Sequence, residues 1–371
     1  MNANPLKGLS ELGQSVWYDY IRRDLVEGGG LKRLIEEDGL SGMTSNPTIF
    51  EKAIADSSLY DDDIGGGAGK SAAQLYEALA VRDVRGAADV FRPVYDARGG
   101  GDGFVSIEVQ PHLARDTRGT IVEARRLWSE CARPNVMVKI PGTVEGLPAI
   151  RQCLAEGINI NITLLFSVAR HRDVMDAYLS ALEDRVQAGK PIDGIRSVAS
   201  FFVSRVDTNA DKKLDVLIAA GNEQAKALRS KIGVANARIA YEAFEEVFAG
   251  ARFAALKAKG ARLQRPLWAS TSTKDPGLPD TYYVEALVAP DSVDTIPPET
   301  FEAYRDHGKP QVRIRDDREG AHAAFRALAG LGISADQIYR ELEEEGVKKF
   351  SASYDSLLEA IEQKERSMRV A

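Results

Sequence analysis

The chain has little of what metal, redox and nucleic-acid chemistry require. Of its 371 residues only two are cysteine and four histidine. Cys131 and Cys153 cannot form a disulfide framework or a CxxC metal or redox site. His112, His171, His307 and His322 are scattered without HxxxH or HExxH spacing, so no metal centre is expected. An excess of cations is missing too: 48 Lys+Arg against 55 Asp+Glu leave a formal charge of −7, the wrong sign for nucleic acid or an anionic membrane surface. No apolar run reaches the ~18 residues of a bilayer span, and the first ten residues lack the apolar core of a signal peptide. A reduced, cytoplasmic protein is expected. The acidic balance leaves small phosphorylated ligands open, because a few local cations suffice to hold a phosphate.

What is present is an alternation of two periods. Length alone would allow two or three domains, but α/β barrels hold ~250 residues or more in one. Short β-branched runs read as strands: Phe104 to Val109, Val136 to Ile140, Gly157 to Ile162, Ser197 to Val203 and Pro266 to Ser270, with weaker ones at Ser15 to Asp19, Gly39 to Thr44 and Asp291 to Ile296. Between them, Thr120 to Ala132 and Ser167 to Ala188 carry apolar residues at helical spacing, and Asp211 to Phe253 is long enough for two helices broken near Gly221 or Gly233. Alternating strands and helices imply βαβ units on a parallel sheet, and the count favours a closed (β/α)8 TIM barrel. Residues 55–103 do not fit the repeat and are expected to form a helical, glycine-rich insertion. Residues 335–371 are expected to form C-terminal helices packed on the outside of the barrel.

Parallel strands buried on both faces should be almost wholly apolar. Here several carry polar groups near their C-terminal ends, where barrel enzymes gather catalytic groups: Thr44 and Asn46, Glu108, Lys139, Asn161 and Thr163, Ser200, Arg205, Ser270. Lys139 lies between Val138 and Ile140, where its ammonium cannot easily reach water. Burial favours the neutral amine, which is the form that attacks a carbonyl and makes a Schiff base. The alternative is an ion pair with Glu108 made for packing alone. Asp19 either ends a strand or caps a helix, and Asn159 and Asn161 either bond to one another and the backbone or recognise hydroxyls. A lysine, two carboxylates, several amides and hydroxyls suit carbon–carbon chemistry on a polyhydroxy carbonyl compound, with no organic cofactor or metal.

Two apparent motifs fail. In Gly65-Gly-Gly-Ala-Gly-Lys-Ser71 the first glycine of a phosphate loop would have to be Ile64, so a flexible loop is expected. Gly99-Gly-Gly-Asp-Gly103 misses GxGxxG at Phe104, and Asp61 to Asp63 reads as a solvated charge run.

Six segments then resemble the transaldolase family in order and spacing: Gly13-Gln-Ser-Val-Trp-Tyr-Asp19, Met43-Thr-Ser-Asn-Pro-Thr48, Val105-Ser-Ile-Glu108, Val138-Lys-Ile-Pro-Gly-Thr143, Asn161-Ile-Thr-Leu-Leu-Phe-Ser167 and Ala199-Ser-Phe-Phe-Val-Ser-Arg205. Trp268-Ala-Ser-Thr271 and Glu345-Gly-Val-Lys-Lys-Phe350 are similar to the longer bacterial branch. The resemblance implies one class I aldolase-type barrel over residues 1–371. It also implies cofactor-free transfer of a dihydroxyacetone unit between sugar phosphates in the pentose phosphate pathway. The donors would be sedoheptulose 7-phosphate or fructose 6-phosphate, and the acceptors glyceraldehyde 3-phosphate or erythrose 4-phosphate.

By the same resemblance Lys139 is the Schiff-base lysine and Glu108 works with a water as general acid/base. Thr163 holds that water, and Asp19 moves the proton of the sugar hydroxyl. Thr44, Asn46, Asn161 and Ser200 would contact the donor, Phe202 would form an aromatic wall, and Arg205 and Ser270 would bind phosphate. Where many relatives have a second arginine this chain has Lys274, a point cation without the bidentate fork. A free aldolase on the same scaffold, or a non-catalytic sugar-phosphate-binding barrel, remain alternatives. Monomer and homodimer are both open.

Overall fold

The computed structural model describes residues 4–67 and 69–370. Residues 1–3 and 371, at the ends of the expected ranges, and Ala68 of the glycine-rich loop lie outside the described residues. Eight strands form: β1 Gln14–Asp19, β2 Gly42–Thr44, β3 Phe104–Glu108, β4 Val136–Pro141, β5 Ile160–Leu165, β6 Ser197–Phe202, β7 Gln264–Ala269 and β8 Ser292–Ile296. They pair in parallel in chain order, and β8 returns to β1, which closes the (β/α)8 barrel. Two strands start later than their sequence suggests. Gly39 and Gly157 have φ of 73° and 106° and terminate the preceding helices, so β2 and β5 begin three residues further on.

Alternation along the strands separates two cores. Trp17, Phe104, Met137, Val198, Leu267 and Val293 fill the barrel interior. Their neighbours Val16, Val105, Val136, Val138 and Ile160 face the helical layer. Each fully buried side chain of this kind contributes ~1.5–3 kcal/mol. Trp17 pairs with Gly42 across β1 and β2, and a Cβ on Gly42 would come within 2.5 Å of the indole, so only glycine fits there. At this N-terminal end the Trp17 Nε1–H donates to Asp102 Oδ1 at 2.8 Å, closing the floor of the barrel.

Residues 55–103 hold the short helix Asp61–Gly65 and the long helix Ala72–Ala97. The long helix is the crossover from β2 to β3 and buries Leu75, Leu79, Val84 and Phe91. Ser71, the end of the failed phosphate loop, caps it in a reciprocal capping box with Gln74. The Asp61 to Asp63 run is not merely solvated: Asp63 pairs with Arg23 and Arg82, and Asp61 with Lys364. The region after β6 forms Ser204–Ala219, Glu223–Leu228, Ile232–Ala249 and Ala251–Lys257 rather than two helices. Gly221 marks the first break, whereas Gly233 lies within a helix and donates its N–H to Asp207 Oδ1.

The C-terminal end also differs from expectation. Residues Ala335–Val370 form one helix, and it crosses the mouth of the barrel instead of lying on its outside. It packs on helix Pro47–Ala55, on the turn Pro111–Leu113 and on helix Ser204–Ala219, which follow β2, β3 and β6. A bulge in β5 helps to seat it. The β5–β6 register shifts between Ile162 and Leu165, Leu164 has φ of 58°, and its side chain lies where a Cβ on Gly346 would approach within 2.9 Å. No described helix is long and apolar enough to cross a membrane.

Candidate active site

Barrel closure brings the polar strand ends to one mouth, around a cavity of about 870 Å³. Asp19, Thr44, Asn46, Lys139, Thr163, Ser200, Phe202, Arg205, Ser270 and Lys274 all line it. Glu108 and Asn161 do not; they stand one layer behind.

Parallel pairing sets Lys139 beside Glu108 on one side and Asn161 on the other. Lys139 Nζ donates to the Ser45 carbonyl oxygen at 2.9 Å and lies 3.3 Å from Glu108 Oε2. The amine therefore has one backbone partner and one carboxylate partner and reaches the cavity from between them. Desolvation pushes the Glu108 carboxyl above the usual range, against the opposing pull of Lys139. Thr163 Oγ1 is buried without a hydrogen-bond partner, and Glu108 Oε2 has no well-aligned hydrogen bond beyond its ion pair with Lys139. Such atoms are costly unless a further polar group joins them.

Asp19 ends β1 beside Thr44 of β2. Thr44 Oγ1 donates to Asp19 Oδ1 at 2.7 Å and lies 2.6 Å from Thr295 Oγ1. A hydroxyl has one proton, so with Thr44 donating to the carboxylate, Thr295 must donate to Thr44. Withdrawal from water pushes the Asp19 carboxyl upward, opposed by Lys139, by the Thr44 hydrogen bond and by Arg205.

Asn161 is fully enclosed. Its Nδ2 donates to Ser106 Oγ at 3.0 Å, and its Oδ1 accepts from Ser200 Oγ at 2.6 Å. Asn159, on the same strand, is tied to the Pro134 carbonyl and the Arg196 N–H, so it belongs to the wall and not the site. Asn46 caps helix Pro47–Ala55 through Oδ1, which leaves its amide nitrogen for the cavity.

The far end of the cavity is cationic. Arg205 starts the helix after β6, with its guanidinium carbon 4.9 Å from the Phe202 ring and 5.8 Å from that of Phe350. Ser270 directly follows β7 in a left-handed conformation with φ of 57°, its Oγ 2.8 Å from Ser204 Oγ. Sequence reasoning missed Ser45, Ser106 and Thr295, which hold Lys139, Asn161 and Thr44. It also missed Lys52 and Lys349, which line the cavity. A signal for Lys349 existed in the Glu345 to Phe350 segment, but nothing local placed that segment over the mouth. Among the described residues no group of His, Cys, Asp and Glu is arranged to hold a metal ion.

This arrangement offers an amine between a carboxylate and an enclosed amide, a second carboxylate across the cavity, and a cationic end. Comparison with known proteins gives the family of the chain. The family model Transaldolase/Fructose-6-phosphate aldolase matches residues 16–361. A transaldolase of Thermobifida fusca is 50% identical over 363 residues, covering 97% of this chain and 98% of its own length. One of Acidothermus cellulolyticus is 52% identical, covering 96% of each chain. Transaldolase 2 of a Nostoc species is 46% identical over 98% of each. By full-length match and by identity, the chain belongs to the transaldolase/fructose-6-phosphate aldolase family.

Proposed function

We propose that this chain is a transaldolase of the pentose phosphate pathway, working through a Schiff base on Lys139. The observation that carries the assignment of the lysine is its placement: Nζ enters the cavity between the Ser45 carbonyl and Glu108. The Lys139 amine attacks the ketone of a ketose phosphate to give a carbinolamine, which loses water to form the iminium. Glu108 supplies and removes the protons of these steps through a water held by Thr163. The buried Thr163 Oγ1, without a hydrogen-bond partner, and Glu108 Oε2, held only by its ion pair with Lys139, support that role.

Asp19 takes the proton of the C4 hydroxyl as the C3–C4 bond breaks. The bonding electrons move into the iminium, an aldose phosphate leaves, and a three-carbon enamine stays on Lys139. An acceptor aldose phosphate then receives the enamine carbon at its aldehyde, Asp19 returns the proton to the new hydroxyl, and water hydrolyses the iminium. The Asp19 carboxyl, pushed upward yet held by Thr44, is suited to take and return a proton. Thr44, Asn46 and Ser200 line the donor end and Phe202 walls it, while Arg205, Ser270 and Lys274 take the phosphate. Asn161 acts from behind through Ser200. The reading places the enzyme in the cytoplasm, in keeping with two buried, unpaired cysteines.

The test is borohydride trapping with fructose 6-phosphate. The donor-derived adduct is expected on Lys139, and Lys139→Ala is expected to lose at least ~10⁴-fold in turnover with the fold retained. An adduct elsewhere, or an active folded variant, rejects the assignment. The family also includes aldolases, which release free product. Phe202 offers no hydroxyl to protonate the enamine, so products should form only when an acceptor aldose phosphate is present.

A further inference from the structure

Lys52, Arg205, Lys274 and Lys349 border one cavity, and none of them forms an ion pair among the described residues. Several cations elsewhere in the chain are matched by acids: Arg252 has Asp176 and Glu183, and Arg229 has Asp215 and Asp275. Clustered like charges in an acidic protein are unfavourable unless an anion joins them.

Lys349 comes from the C-terminal helix. Leu342, Glu345 and Lys349 line the cavity from one helical face, while Lys348, the next residue back, does not line it. Phe350 is buried and stacks beside Arg205, which pins this turn of the helix at the cationic end. Partial desolvation, and then the charges of Arg205, Lys274 and Lys52, hold the Lys349 ammonium below the usual lysine range. Glu345 is the acid on the same face and acts on Arg205, so without a further cation it would oppose an incoming phosphate.

We propose that Lys349 is a specificity-determining residue that binds the phosphate of the sugar substrates together with Arg205 and Lys274, in effect completing the site where a second arginine is missing. The inference rests on the transaldolase reading and extends it: the C-terminal helix is part of the substrate site, and it selects phosphorylated sugars over unphosphorylated ones.

The experiment compares Lys349→Ala, Lys349→Arg and Lys348→Ala with the parent enzyme. Steady-state kinetics use fructose 6-phosphate, borohydride trapping uses unphosphorylated dihydroxyacetone, and calorimetry uses inorganic phosphate near pH 7.5, where it is mostly a dianion. Losing a charge-assisted contact should raise KM for the phosphorylated donor and weaken phosphate binding by roughly 10- to 100-fold, with kcat changed only a few-fold. Half-saturation by dihydroxyacetone should stay unchanged, Lys349→Arg should recover most of the loss, and Lys348→Ala should behave as the parent. Phosphate affinity unaltered in Lys349→Ala, or equal effects on phosphorylated and unphosphorylated donors, overturns the proposal. If the parent forms no adduct on Lys139, the transaldolase reading fails instead, and phosphate calorimetry still decides the role of Lys349.

Discussion

Lys139 and Glu108 face each other from adjacent strands, Nζ 3.3 Å from Oε2, with side chains only 7% and 3% exposed. The pair is fixed by strand register rather than by flexible side chains, since Lys139 is the β4 partner of Glu108 on β3. Removing either member leaves the other buried without its partner, which is costly for a charged group.

For Glu108→Gln, the barrel should stay intact because the amide fills the same space. Formation of the Schiff base should slow by ~10²–10⁴-fold, the usual contribution of a positioned acid/base. Single-turnover borohydride trapping measures this directly, and an unchanged trapping rate would remove Glu108 from the proton path.

In the proposed mechanism Asp19 sets a pH limb. It must be ionised to accept the sugar hydroxyl proton, and desolvation pushes its carboxyl up. The acid limb of kcat/KM should therefore lie at higher pH than an exposed aspartate would give. Thr44 donates to Asp19 and lowers its pKa, so Thr44→Val should move the limb further toward alkaline pH. Asp19→Asn should lose donor cleavage but still trap dihydroxyacetone on Lys139. A pH profile insensitive to Thr44→Val contradicts the role given to Asp19.

Asp294 couples stability to pH. It is fully buried on β8, accepts from Thr271 at 3.0 Å, and burial pushes its carboxyl up to about 8. In the folded state it keeps its proton up to that pH, while the unfolded chain releases it near the ordinary value. The folded state thus binds more protons between these limits, and stability falls as pH rises through the window. The accumulated effect by neutral pH is on the order of a few kcal/mol. In Asp294→Asn this slope should vanish, as chemical denaturation between pH 5 and pH 8 would reveal (~1.4 kcal/mol per pH unit at most). Parallel slopes for parent and variant count against it.

Ser71 tests the failed nucleotide motif. Its hydroxyl accepts from the Gln74 N–H and caps the β2–β3 crossover helix. Ser71→Ala should cost ~1 kcal/mol of stability and leave kinetics unchanged. Loss of activity without loss of stability would reopen a ligand role for the loop.

The sequence by itself determined the barrel and the pairing of Lys139 with Glu108. Alternating runs such as Phe104 to Val109 and short apolar runs such as Val136 to Ile140 are local signals, and parallel closure in chain order then sets Glu108 and Lys139 side by side. Polar residues at strand ends marked the mouth for the same reason. Only the tertiary structure decided what lies behind and above that mouth. Asn161 is enclosed because Ser106 and Ser200, 55 residues before it and 39 after it, close on its amide from two other strands. Lys349 reaches Phe202 and Arg205's end of the cavity because one C-terminal helix crosses the barrel instead of lining its side. Helical periodicity says that one face of a segment is buried, but not against what. That choice belongs to long-range packing, where Gly346 meets Leu164 and Phe350 meets Arg205.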